Sequence, residues 1–178
     1  MFLFVRSVLD ALTFPGIVVQ QAARKLLCHA TGTEVTDVCW FRWEQPTGYV
    51  VHEDPNAVWK QYLIGLGPVL VSLVVAVVTA LLALPFAPKG NAVSLPSILL
   101  CWIGVSVAAH AFPNRTDAGS IWALAWEAED APVWTRVLSV PVVGMVYLFA
   151  LSRFLGLDLI FGLLLVLLTQ GFASGELR

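Results

Sequence analysis

Residues 14–32, FPGIVVQQAARKLLCHATG, open near a Pro-Gly pair, run through apolar residues and close on a glycine. That punctuation frames a helix from about Ile17 to Ala30, with Pro15-Gly16 read as the break before it. The helix carries Gln20, Gln21, Arg24 and Lys25 in its middle. Positions i and i+4 share a helix face, so Gln20 and Arg24 form a polar stripe. In a soluble chain such a stripe faces water. In a chain embedded in lipid it has to turn inward, because the bilayer core offers no hydrogen-bonding partner.

The surrounding residues select the second case. Of 178 residues, 58% are hydrophobic and 12% charged, with a mean hydropathy of +0.82. A soluble domain has about 45–50% apolar and about 25% charged residues. Residues 63–87, LIGLGPVLVSLVVAVVTALLALPFA, contain no charge. About 20 such residues, rising about 1.5 Å each, cross a hydrocarbon core of about 30 Å. Residues 93–112, 137–151 and 154–173 read as three further spans. Only Ser152-Arg153 separates the last two, which makes them antiparallel neighbours or one bent hairpin. Residues 2–12 are amphipathic, interrupted by Arg6 and Asp10, and do not read as a cleaved signal peptide. The fold class is an all-α integral membrane bundle of about four to five transmembrane helices, forming one domain over 1–178.

A net charge of −2 and a pI near 5.8 argue against a nucleic-acid partner, which requires a basic stripe. Cys28, Cys39 and Cys101 have no CxxC or metal-type spacing and read as small apolar residues. His29 reads as a helix-end residue favoured by the negative end of the dipole. Asp158 either snorkels from near the end of its span or pairs with Arg153.

Between the first helix and the first strong span, residues 33–55 read TEVTDVCWFRWEQPTGYVVHEDP. Two runs of β-branched and aromatic residues flank Gln45-Pro46-Thr47-Gly48, which reads as a turn. This is a β-hairpin, and its tryptophans suit the headgroup level of a membrane. Residues 113–136 are an acidic, Trp-rich loop with room for one short interfacial helix. Placing the hairpin and this loop on one side gathers Arg42, Lys60, Arg115, Arg136 and Arg178 there, against Arg6, Lys89 and Arg153 opposite. The positive-inside rule puts that side in the cytoplasm.

The order of these parts resembles the site-2 protease family of intramembrane zinc metalloproteases over roughly residues 14–124. The resemblance rests on FPGIVVQQAARKLLCHATG, VCWFRWEQPTGYVVHEDP, QYLIGLGPVL and HAFPNRTDAGSIW. In that family the first motif is His-Glu-x-x-His, with two ligands one turn apart and a glutamate as base, and an Asp supplies the third ligand. The ligand positions fall on Gln20, Arg24 and Asp117, and the base on Gln21. Arg24 has no lone pair to donate, Gln20 offers only a weak amide oxygen, and Gln21 cannot act as a base.

The resemblance therefore implies a pseudoprotease without catalytic residues or cofactor, in a bacterial or archaeal cell membrane. It would hold or regulate another membrane protein, taking an extended segment beside the hairpin. His52, His110, Asn114 and Asp117 are the cleft candidates, with His110 and Asp117 expected to face the same pocket as Gln20 and Arg24. An Arg24–Asp117 bridge is expected in place of the metal. Two alternatives stay open. One is an active zinc enzyme with relocated ligands His52, His110 and Asp117, and the other a structural or assembly subunit.

Overall fold

A computed structural model describes residues 2–44, 46–55, 57–87, 94–113, 115–127 and 131–175. These form a helical bundle with one small antiparallel hairpin. The helices are α1 (Phe2–Leu12), α2 (Phe14–Thr31), α3 (Val58–Ala83), α4 (Leu95–Ala109), α5 (Arg115–Trp126), α6 (Val133–Phe154) and α7 (Leu157–Ser174). A 3-10 turn, Leu84–Phe86, extends α3.

The break before α2 lies one step earlier than Pro15-Gly16. Thr13 forms the joint, with its hydroxyl donating to the Leu9 carbonyl at 2.8 Å. Pro15 and Gly16 sit inside the first turn of α2, where proline's missing N–H breaks no helical bond. Gly32 closes the helix in the left-handed conformation at φ 67°, and Thr33 N–H donates to the Cys28 carbonyl at 2.9 Å.

Among the described residues three helical segments are long and apolar enough to cross a membrane: Val58–Phe86, Val133–Leu151 and Leu157–Ser174. The span expected over 93–112 is shorter. Its helical part, α4, has 15 residues, about 22 Å at the α-helical rise. It is the inner helix, packed against α2, α3 and α7. Ala76 of α3 and Val107 and Ala108 near the end of α4 are fully buried together, with Val19, Ile103, Phe161 and Leu165 around them.

Glycines let these helices approach closely, as lipid-embedded bundles require. A Cβ at Gly16 would collide with the Ser106 carbonyl of α4, and one at Gly162 would lie 2.6 Å from the Val105 carbonyl oxygen. The last two spans are not close neighbours along their length. α6 packs chiefly on α5, whereas α7 packs on α4 and α3. Phe112 joins them, its ring centroid 4.0 Å from that of Phe149 and 5.0 Å from that of Phe161.

The hairpin pairs β1 (Val35–Cys39) with β2 (Tyr49–His52), Val38 opposite Val50 and Cys39 opposite Tyr49. The first strand stops short of Trp43, so the connection is longer than a four-residue turn. Gly48 folds it back against Ile17 of α2: a Cβ there would lie 2.7 Å from Ile17 Cγ2. Thr47 is buried by this contact. Trp40 and Trp43 stay exposed, and Lys25 sits over the Trp40 ring at 5.5 Å.

Candidate functional site

The polar stripe of α2 turns inward. Gln20, Gln21 and Arg24 are all buried, while His29 near the helix end is exposed. The acidic loop contributes α5, and Asp117 lies in its first turn. A carboxylate is favoured there by the positive end of the helix dipole. α3 brings that turn close through Gly65, where a Cβ would lie 3.9 Å from Asp117 Cβ.

Arg24 and Asp117 meet across this junction. Arg24 Nη2 lies 2.8 Å from each carboxylate oxygen, with both side chains under 10% exposed. One guanidinium nitrogen thus straddles the carboxylate. Gln20 turns its amide away from the pair, Nε2 donating to the Phe112 carbonyl at 3.1 Å. Gln21 Oε1 and Arg24 Nε have no hydrogen-bond partner among the described residues.

This donor set does not fit Zn²⁺. The carboxylate already faces a permanent cation, Gln20 presents a donor to a backbone carbonyl, and neither Gln21 nor Arg24 offers a nitrogen lone pair. The relocated set fares no better, because its members go to separate partners. His52, half-buried on β2, has Nδ1 2.8 Å from the Glu53 carbonyl oxygen. His110 lies 3.5 Å from Asp10, and Asp117 is held by Arg24. Among the described residues no group of three His, Cys, Asp or Glu side chains is placed to hold a metal. Asn114 lies outside the described residues.

His110 departs from the sequence reading, since it does not share the Arg24–Asp117 junction. It belongs to a second cluster, in which its ring, Asp10 and Asp158 are buried and Arg6 and Arg153 half-buried. Arg6 Nη2 donates to Asp158 at 2.7 Å, and Arg6 Nε lies 3.0 Å from Asp10. Arg153 stands 3.7 Å from Asp158, so Asp158 is paired twice and does not snorkel. The signal for this cluster was the Arg6–Asp10 spacing of four residues in an apolar stretch, which reads more simply as an amphipathic interruption.

Among the cavities of the described residues, one of about 570 Å³ lies beside the turn that carries Asp117, bordered by Gln61, Thr116, Gly119 and Ser120, and two others open at α2 and at α3; none of the three is lined by Arg24 or Asp117. The one at α2, about 610 Å³, lies between the end of α2 and β1, bordered by Lys25, His29, Glu34, Thr36 and Val38. The one at α3, about 660 Å³, is an apolar groove between α3 and α6 with Phe112 and Pro113 between them. On the hairpin, Val38 N–H donates to Asp37 Oδ1 at 2.8 Å and the Tyr49 hydroxyl donates to Asp37 Oδ2 at 3.0 Å. The carboxylate beside it pushes the Tyr49 phenol above its ordinary pKa. Comparison with family profiles, curated proteins and solved structures finds no match.

Proposed function

We propose that this chain is a non-catalytic membrane protein on a site-2-protease-like plan, which holds an extended segment of another membrane protein. The observation that carries the reading is Arg24 Nη2 at 2.8 Å from both Asp117 oxygens. In the family pattern these two positions share one zinc ion. Here a guanidinium performs the mechanical part of that role, tying α2 to α5, and performs none of the chemical part.

The segment would lie in the cavity between α2 and β1, adding as a strand. Metal analysis and a cleavage assay on membrane substrates test the non-catalytic half of this reading. The expected results are zinc far below one per chain and no chelator-sensitive cleavage. Stoichiometric zinc with cleavage abolished by Asp117→Ala would overturn it.

Strand addition must displace Asp37 from the Val38 N–H. A net hydrogen bond of about 0.5–1.5 kcal/mol corresponds to about two- to tenfold in occupancy. Asp37→Ala should therefore raise photocrosslinking from a probe at Thr36 by about that factor. An unchanged or lower yield would remove β1 as the docking edge.

The assembly-subunit reading is favoured by a different observation, the apolar groove between α3 and α6. A probe at Met145 that crosslinks a partner, with none captured from Thr36, would select it.

A further inference from the structure

The cavity beside α5 carries an inference independent of the proposed function. It shares no lining residue with the cavity at β1 and lies after β2, where Asp54 and Pro55 lead towards α3. Its volume of about 570 Å³ is within the range of small-ligand sites. Pro55 and Gln61 are buried at its base, and Asp54 and Glu127 stand exposed at its rim.

Gln61 is the unusual member. It is 4% exposed, and its side-chain amide has no hydrogen-bond partner among the described residues. Unlike the Gln21 oxygen, that amide is not sealed away from solvent, and Gln61 lines the cavity. One turn on, Gly65 shares its face of α3. A Cβ at Gly65 would lie 3.4 Å from Ile121 Cδ1, so this face looks onto α5, the wall of the cavity. A buried amide without a partner destabilises the free protein, and a ligand that completes it removes that cost.

The lining sets the chemistry of the ligand. A primary amide offers N–H donors and an acceptor oxygen together, the complement of a peptide group. The charged lining residues are both carboxylates, Asp54 and Glu127, and among the described residues no Lys, Arg or His lines the cavity. Lys60, next to Gln61, is held over the Trp59 ring at 5.9 Å. Such a wall repels phosphate and carboxylate and favours a cation. The positive end of α5 already has the Asp117 carboxylate in its first turn. Pro55, Ala123 and Leu124 give an aliphatic stem an apolar surface. We propose that this cavity binds a lysine- or arginine-bearing stretch of a partner polypeptide, a peptide group pairing with Gln61 and the cation with Asp54 and Glu127.

The test uses two blocked tripeptides, acetyl-Gly-Lys-Gly-amide and acetyl-Gly-Glu-Gly-amide, on the full chain in a neutral detergent. In nitrogen-15 spectra the Gln61 amide signals are identified by their absence in Gln61→Leu. The lysine peptide should shift them saturably, and the glutamate peptide should leave them in place. Gln61→Leu should weaken binding of the lysine peptide by about two- to tenfold for each hydrogen bond lost. It should leave the melting temperature of the free protein unchanged or higher, since it removes an unpaired amide. Asp54→Asn with Glu127→Gln should abolish the preference for lysine over glutamate.

No shift with the lysine peptide, or equal shifts with both, would overturn the site. So would a lower melting temperature for Gln61→Leu with unchanged peptide affinity, which marks the amide as structural. A short-chain phosphatidylethanolamine that shifts the signals where the lysine peptide does not would assign the cavity to lipid headgroups instead. If Gln61→Leu does not fold, the variant lacking both carboxylates decides. The rise in melting temperature that the lysine peptide gives should vanish in it, and a rise that persists would overturn the site.

Discussion

Replacing Arg24 or Asp117 singly by alanine is expected to destabilise the protein by about 3–5 kcal/mol, and replacing both by less than either change alone. Both side chains are under 10% exposed, and the bridge is 2.8 Å long. Removing one partner leaves the other charge in a low-dielectric interior without an equal replacement. Removing both takes away the two desolvation penalties together with their attraction. A double-mutant cycle on unfolding in detergent measures the difference. Additivity of the two changes would mean that the pair contributes no coupling, and the tie between α2 and α5 would lose its energetic basis. The pair sets geometry more than stability: a well-packed apolar pair in its place is often neutral or better.

Gly16→Ala should be among the most damaging single-methyl additions in the chain, with a loss of about 3 kcal/mol. The added Cβ would run into the Ser106 carbonyl and lie 3.0 Å from His110 Nδ1. Neither can yield cheaply. The first belongs to the backbone of the inner helix, and the second is held between two acceptors. Relief would require α2 and α4 to separate, which also loosens the stripe bearing Gln20 and Arg24. Gly144→Ala is the matched control, because a methyl added there would meet nothing within 4 Å and the residue sits in the middle of α6. There alanine should stabilise by about 0.5–1 kcal/mol through helix propensity. Thermal melts in one detergent compare the two. Equal behaviour would show that α2 and α4 do not pack as closely as described.

Local pattern carried much of the architecture. The uncharged run at 63–87 could only be a long apolar helix. The alternation around Val35 and Tyr49 with a Pro-Thr-Gly turn signal could only be a hairpin, and Gly32 marked the end of α2. These are consequences of hydropathy, periodicity and backbone restriction, all confined to a few neighbouring residues. The inward turn of Gln20, Gln21 and Arg24 also followed from sequence, because polar groups in an apolar chain have to meet one another.

Where each polar group finds its partner was decided by tertiary packing. His110 and Asp117 lie seven positions apart in the chain, yet the first caps the end of α4 and the second sits in the first turn of α5, so that His110 faces Asp10 and Asp117 meets Arg24. Nothing in spacing distinguishes those pairings from the single shared pocket that the sequence suggests. Likewise Asp158 sits five residues from Arg153 but makes its shortest bond to Arg6, 152 positions away. Thr47 is polar and at a turn, yet buried, because Gly48 lets the connection fold onto Ile17. The sequence determined that this protein is a lipid-adapted helical bundle with a hairpin and buried charge. The fold alone determined which charges neutralise which, because pairing energies depend on distances set by helix crossings that no local pattern encodes.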